Sequence, residues 1–453
     1  MSKTIKLRKG LDIRLIGASK MVRSELVMPK TVAVKPVDFH GMTPKIVVKE
    51  GEYVKAGGVL FYDKYNEPVK CAAPVSGKVQ KIVRGAKRRI MEIILSADKE
   101  IEYKESSLMD ISEINGDKVK EVMLSSGLWM FLKQRPFDKV ADPSNKPKAI
   151  FISAFDSSPL ASDFDYILHG KKEEFQTGLD ALCKLTDGDV HLTLNGKSLA
   201  DATFTEAQGV KINKIYGKHP AGNVGTQIHH IDPINKGEFV WTINAQDVAI
   251  IGRYFMTGHY DLRKTIAVTG SEIKDPQYVE VISGSNVSEI LEGQIISDNV
   301  RVISGNVLTG DKISDTGYLG FYHNQITVIP EGDHLKFVMT KGWMGPGFDK
   351  FSNSRLFPTF LFPKKKFRLD TNTNGEERAF VITGEIDRVF PFDILPMQLV
   401  KAAITDDIDG MENLGIYEVA PEDFALCEYV CSSKIDIQDK IRKGLDLIEQ
   451  ECM

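Results

Sequence analysis

Apolar and polar positions change rhythm several times along the chain. Over the first hundred residues the apolar runs are short and separated by turn residues. Val32-Ala33-Val34-Lys35-Pro36 reads as a strand closed by proline, and Pro44–Val48 leads into the turn Lys49–Glu52. Val59–Tyr62 follows a Gly57-Gly58 turn, and Ala73–Gly77 punctuates before Lys78–Val83. Brief strands with turns at this spacing predict a small all-β unit. From about Ser106 the pattern changes. Lys148–Ala154 is a continuous apolar run, as in a strand buried on both faces. Phe175, Leu179, Leu182 and Leu185 make a helical stripe in Lys171–Thr186, Asp189–Asn195 alternates, Lys211–Gly217 is another strand, and Thr242–Phe255 reads as helix. This alternation predicts an α/β layer with parallel strands. Strands return at Thr265–Thr269, Tyr278–Ile282, Asn299–Ile303 and Gln325–Ile329, around a short helix at Val287–Leu291 capped by Asn286 or Ser288. Lys341–Arg368 is irregular, basic and aromatic-rich. From about Gln398 the chain reads as helices, the last amphipathic through Ile435, Ile441, Leu445 and Ile448.

These shifts divide the 453 residues at 1–105, 106–261, 262–330, 331–375 and 376–453. An apolar fraction of 42% and a charged fraction of 26% are those of an ordinary globular protein. A net charge of −4 argues against a dedicated nucleic-acid binder. The basic start MSKTIKLRKG is followed by no apolar core of a signal peptide. The most apolar stretches, near Val248–Phe255 and Val389–Val400, are too short or proline-broken to span a bilayer, so a membrane role would be peripheral. Five scattered cysteines suggest reduced thiols in the cytoplasm.

Candidate chemistry is sparse. Cys427 and Cys431 lie four apart with Cys452 beyond them, too few thiolates for an iron–sulfur cluster and without the His or Cys partners of a zinc set. His219, His229, His230 and Asp232 fall in a Gly- and Pro-rich stretch, Tyr216–Pro233, whose spacing fits no zinc motif and which reads as a loop at the carboxyl end of the sheet. Trp343, Phe348 and Phe351 mix with lysines in a pattern suited to a protein or membrane-facing surface.

Several segments carry family resemblances. Glu50–Leu60, Asp63-Lys64 and Ala73–Val79 resemble the lipoyl and biotinyl carrier fold, a barrel-sandwich; Lys64 stands where carriers attach their arm, but Tyr65-Asn66-Glu67-Pro68 departs from the pattern that follows there. Ser125–Phe137 resembles the flavin-binding segment of the C subunit of the Rnf complex and of the NADH-oxidising subunit of complex I, with the loop glycines replaced by Trp129, Phe131, Lys133 and Gln134. Bulky side chains there predict a Rossmann-like layer without flavin or NADH. His219–Pro233, Trp241–Val248 and Gly342–Ser352 resemble signature segments of the NqrA family, the A subunits of sodium-translocating NADH:quinone reductases, and the resemblance runs through nearly the whole chain. It implies an α+β multidomain fold: a barrel-sandwich domain, a Rossmann-like layer, a β-grasp module of the soluble-ligand-binding (SLBB-like) type and a helical C-terminal tail. It further implies a peripheral subunit on the cytoplasmic face of the bacterial inner membrane. This subunit would carry no tightly bound cofactor, with NADH, flavins and iron–sulfur centres handled by partner subunits. Its implied partners are the membrane subunits, foremost the B subunit, together with ubiquinone; nucleic acid is not among them. The expected quinone or partner contacts are His219, His229, His230, Asp232, Trp241, Trp343, Phe348 and Phe351. Two other readings are a self-contained flavin or iron–sulfur protein like the Rnf relative, and a lipoyl- or biotinyl-type carrier.

Overall fold

A computed structural model describes residues 2–334, 336–337, 339, 342, 344–353 and 357–452. The first all-β unit is two facing sheets. One orders Thr31–Val34, Ile90–Ala97, Gly77–Arg84 and Tyr53–Val54; the other orders Pro44–Ile46, Val59–Asp63 and Lys70–Ala72. Inward residues Val32, Val34, Leu60, Phe61, Val79, Ile93 and Leu95 fill the space between them, as the alternation of half-buried strands requires. Lys64 is exposed at the hairpin, its ammonium 5.3 Å from the Tyr65 ring centroid.

Two short strands that precede this unit leave it. Thr4–Lys6 pairs in parallel with Lys211–Tyr216, and Lys20–Ser24 pairs in parallel with Gln277–Ile282. The α/β sheet therefore runs Thr4–Lys6, Lys211–Tyr216, Asp189–Asn195, Ala149–Ser153, Val240–Asn244, Lys133–Arg135, Lys139–Val140. Five strands are mutually parallel and end at one edge; Lys133–Arg135 runs antiparallel to them, and Lys139–Val140 pairs antiparallel with Lys133–Arg135. Helices Lys172–Cys183 and Ala245–Thr257 pack together against it, burying Phe175, Leu179, Leu182, Val248 and Ile251.

Two segments differ from their sequence reading. The expected helix Thr242–Phe255 begins as strand, Val240–Asn244, whose residues are paired with Ala149–Ser153; Asn244 then accepts the Gln246 N–H and starts helix Ala245–Thr257. Two adjoining apolar elements with one polar cap between them read as a single run. The expected loop after His219 contains helix Val224–Ile231. Its Gly225 is unfavourable in isolation, but Ile228 and Ile231 pack on Phe151 and Val240, with Val224 partly buried beside them, and burial decides the outcome.

The third unit is a mixed sheet, Asp311–Ile313, Val300–Ser304, Gln325–Pro330, Arg263–Thr269, Gln277–Ile282, Lys20–Ser24, covered by helix Val287–Ile290, which the Asn286 side chain caps at the Ser288 N–H. The tail forms helices Pro396–Ile404, Ile408–Asn413, Ala425–Val430 and Ile437–Cys452 around Leu399, Val400, Met411, Phe424, Ile441, Leu445 and Ile448. Leu11, Ile13 and Leu15 from the start of the chain join that core, as do Cys427 and Cys431, both free thiols. No helix among the described residues is long and apolar enough to cross a membrane.

Candidate functional site

The strand order creates the site. From Ala149–Ser153 the chain builds outward to Asp189–Asn195 and Lys211–Tyr216, then returns to place Val240–Asn244 on the other flank. Between the carboxyl ends of Ala149–Ser153 and Val240–Asn244, registered at Ser153 and Asn244, the following loops diverge, which is where open α/β sheets form ligand crevices. A cavity of about 430 Å³ opens there. Loops Gly305–Asp311 and Gly320–Gln325 of the third unit, Pro421, Glu422 and Gln438 of the tail, and Asp38 close it. Its size lies in the range of small-molecule sites. Phe131, Phe155, Phe164, Phe321 and Tyr322 give it aromatic surface.

His219 enters from the loop after Lys211–Tyr216. Its backbone N–H donates to Asp12 Oδ1 (2.9 Å), and its Nδ1 lies 3.1 Å from Ser157 Oγ. Ser157 Oγ already accepts the Gly222 N–H (2.8 Å), so its own hydrogen is available to Nδ1. The His219 Nε2 is buried and has no partner among the described residues. Burial lowers the imidazole to about 4, against the opposing pull of the Ser157 backbone, so it is neutral at pH 7.

His323 repeats the arrangement from the third unit. Its Nδ1 is 2.8 Å from Ser304 Oγ, which accepts the Gly320 N–H at 2.8 Å. Burial, reinforced by Lys35, Lys264 and Lys133, lowers this ring to about 3. Both histidines line the cavity.

The charges lining the cavity are mostly engaged. Arg135 is buried and donates to Asp423 Oδ2 (2.9 Å), with Glu422 as a second partner. Lys133 lies 2.9 Å from Asp138, whose carboxyl Lys133, Arg135 and Arg442 hold well below the usual range despite burial. Asp156 accepts from the Ser158 N–H and hydroxyl at 2.7 and 3.0 Å. Asp247, 1% exposed in the first turn of its helix, differs: its Oδ1 has no partner among the described residues, and burial pushes it up to about 7 against the pull of Lys264. A carboxyl so placed can hold a proton near neutrality.

The residues singled out in the sequence part company. Of the expected quinone or partner contacts among the described residues, His219 alone lines the cavity; Phe131 and Lys133, which stand in place of loop glycines, line it too. His229 accepts the Asp393 N–H at Nε2 (2.9 Å) and faces Glu418 at Nδ1 (2.8 Å); His230 donates to the Pro391 carbonyl (3.1 Å). Both fasten the tail to the α/β layer. Asp232 pairs with Lys148 at 2.9 Å. Trp241 is buried edge-on against Trp129, ring centroids 5.1 Å apart, and is part of the core. Phe348 is 57% exposed, whereas Phe351 is packed against Phe367 and Tyr429 of the tail. Trp343 lies outside the described residues. His323, Asp247 and the two serines went unnoticed in the sequence, because single polar residues in Gly-rich or capped segments carry no spacing signal. Among the described residues no group of three or more His, Cys, Asp or Glu side chains could hold a metal ion.

Three domain families match the chain: the NqrA N-terminal barrel-sandwich hybrid domain over residues 5–98, the NqrA second alpha/beta domain over 114–260, and the NQRA C-terminal domain, an SLBB family, over 265–315. A protein of Marinomonas sp., named as the A subunit of Na(+)-translocating NADH-quinone reductase, is 38% identical over 449 residues, covering 98% of this chain and 99% of its own. Proteins of the same name from Rhodopirellula baltica and Neisseria meningitidis are each 38% identical; they cover 98% and 99% of this chain and 98% and 100% of their own length.

Proposed function

Because the chain belongs to the NqrA family, the A subunits of Na(+)-translocating NADH-quinone reductases, we propose that it is the peripheral subunit through which such a complex contacts its quinone. In this reading NADH is oxidised and electrons are carried by redox groups of partner subunits. This chain docks on the membrane subunits, the B subunit in particular, at the cytoplasmic face of the bacterial inner membrane.

The quinone assignment rests on one observation: the cavity at the edge of the parallel sheet carries Phe131, Phe155, Phe164, Phe321 and Tyr322 on its wall. A quinone ring is planar and largely apolar, and aromatic walls suit it. A short-tail photoreactive quinone added to the whole complex should label peptides from His219–Trp241, and excess quinone should suppress it. Competable labelling confined to the membrane subunit would remove quinone from this chain and leave it a positioning role.

The docking assignment is supported by exposed Met344, Phe348, Leu361 and Phe362 beside Lys364, Lys365 and Lys366. Lys365 donates to the Phe348 carbonyl (2.7 Å), joining the two halves of this surface. Changing Phe348 and Leu361 together to serine should release the chain from the complex in a pull-down while its circular dichroism stays unchanged. Retention of the variant would place the docking face elsewhere.

A further inference from the structure

We propose that the hairpin Gly77–Ala97 of the barrel-sandwich unit is an electrostatic contact for the anionic headgroups of a phospholipid surface, separate from the aromatic docking surface. The choice of a lipid surface rests on the reading of this chain as a peripheral subunit of a membrane complex.

Six of the chain's 58 Lys and Arg residues lie on this hairpin, Lys78, Lys81, Arg84, Lys87, Arg88 and Arg89, against one of its 62 Asp and Glu residues, Glu92. All six are exposed. None forms an ion pair among the described residues, whereas Lys55 of the same unit lies 3.3 Å from Glu102. Arg84 Nη1 turns to the Arg88 carbonyl of its own turn at 3.4 Å. Glu50 reaches the hairpin from outside, where its carboxylate accepts the Ile82 N–H at 2.8 Å. The chain as a whole carries −4, so the hairpin runs against the balance of the rest.

The hairpin also stands free at its tip. Gly77 and Lys78 pair with Tyr53–Val54, and Ile93–Ser96 pairs with Thr31–Val34. From Val83 and Glu92 outward the two strands pair only with each other. At the turn, Lys87 and Arg88 hold φ of 52° and 61°, left-handed backbone that favours glycine. Two long cations stand where the turn itself would favour glycine, and neither has an ion-pair partner within the fold. Their use lies outside the chain.

The chemistry of the tip narrows the partner. Protein interfaces are anchored by buried aromatic or other large side chains, and single-stranded nucleic acid stacks its bases on aromatic rings. Among the described residues no exposed large apolar side chain falls between Tyr65 and Leu108. Clustered Lys and Arg without such anchors match the diffuse negative charge of an anionic bilayer surface.

The test is co-sedimentation of the full chain, without partner subunits, with phosphatidylcholine vesicles that contain or lack phosphatidylglycerol. The wild type should bind the vesicles that contain phosphatidylglycerol, not those that lack it, and bind less as salt is raised. One Lys or Arg near such a surface corresponds to about fivefold in affinity. Lys87→Gly combined with Arg88→Gly should therefore weaken binding roughly twenty-five-fold. The urea midpoint of this variant should hold or rise, because glycine accepts the left-handed turn. Lys214→Gln combined with Lys274→Gln removes the same charge at exposed positions of other units; it should change binding by less than about twofold. An equal loss in that control would mean that net charge, not the hairpin, drives binding, and would overturn the proposal. Equal binding to both kinds of vesicle, or displacement by inorganic phosphate at constant ionic strength, would overturn it too. So would a double-glycine variant that keeps its vesicle affinity; its loss from the complex in a pull-down would then assign the hairpin to an acidic protein surface. The docking reading fails in the pull-down and the lipid contact fails on the vesicles, so the two failures are told apart.

Discussion

Arg135→Met should cost about 3–5 kcal/mol, the usual penalty for removing one partner of a buried ion pair. Arg135 lies at the end of a strand of the α/β sheet with its guanidinium between Asp423 Oδ2 (2.9 Å) and Glu422, both on the tail. The Asp423 side chain is fully buried, and besides Arg135 it accepts from the Ala420 N–H at 2.9 Å. Burial already pushes its carboxyl up to about 6 despite Arg135. Without the guanidinium this rise grows, and the folded chain must bury either an uncompensated charge or a proton. A folded-state pKa above the unfolded value means the native state binds more protons, so stability falls as pH rises through that window. The deficit of Arg135→Met should therefore be largest at pH 7 and above, and shrink towards pH 5. Urea unfolding at the two pH values measures it. Arg135→Met combined with Asp423→Leu should recover most of the loss, because replacing both partners by apolar groups removes the orphaned charge. A variant as stable as the wild type at pH 7 would mean that the tail is held by its other contacts, such as His229 to Glu418 and Arg442 to the Phe137 carbonyl. The same substitution should impair function, since Pro421 and Glu422 form part of the cavity wall.

Much of this architecture was legible because it is written in periodicity. Ala149–Ser153 is buried on both faces and appears as an unbroken apolar run; Lys172–Cys183 shows its stripe through Phe175, Leu179 and Leu182. Family resemblance supplied the modular order, which the matching domain families show for the barrel-sandwich, α/β and SLBB units. Non-local pairing was invisible. Thr4–Lys6 and Lys20–Ser24 are short, mostly exposed strands whose partners lie more than 200 residues away, and nothing in their own composition names those partners. The site was legible at Phe131 and Lys133, which stand in place of loop glycines, and at His219. His229 and His230 share its sequence neighbourhood, but helix Val224–Ile231 carries them to the tail. His323 comes from the third unit and lines the same cavity, which no spacing in the sequence reveals. The aromatic segment divides in the same way: Phe348 and Phe351 are three residues apart, yet one is exposed and the other packs on the tail core.

Gly252→Leu should prevent folding, and Gly252→Ala should be the milder measure of the same contact. Helices Lys172–Cys183 and Ala245–Thr257 cross with their backbones nearly touching. A Cβ on Gly252 would lie 1.7 Å from the Glu174 carbonyl oxygen and 2.7 Å from the Gly178 nitrogen; one on Gly178 would lie 2.1 Å from the Val248 oxygen. Ordinary carbon–oxygen contacts are about 3.3–3.6 Å, so even alanine requires the helices to part by roughly 1.5 Å. The obstacle is backbone, which cannot rotate aside as a side chain can. Alanine gains about 1 kcal/mol of helix propensity over glycine. Overpacking typically costs about 1–3 kcal/mol, and at this distance the upper end applies, with further loss from loosened contacts of Leu179, Val248 and Ile251. We expect Gly252→Ala to be destabilised by about 2 kcal/mol net, seen as a lower urea midpoint. Gly375→Ala, where the added carbon meets only Lys434 side-chain atoms at 3.7 Å, should change stability by less than about 0.5 kcal/mol and serves as the control. The effect should extend to the cavity. Gly252 shares its helix with Asp247, and the ion pair of Arg253 with Glu174 at 3.2 Å ties the same two helices together. Parting them moves the first turn that places the Asp247 carboxyl at the cavity wall. A Gly252→Ala chain with the wild-type midpoint would show that the helices separate without cost, and that the close crossing is not what fixes this edge of the site.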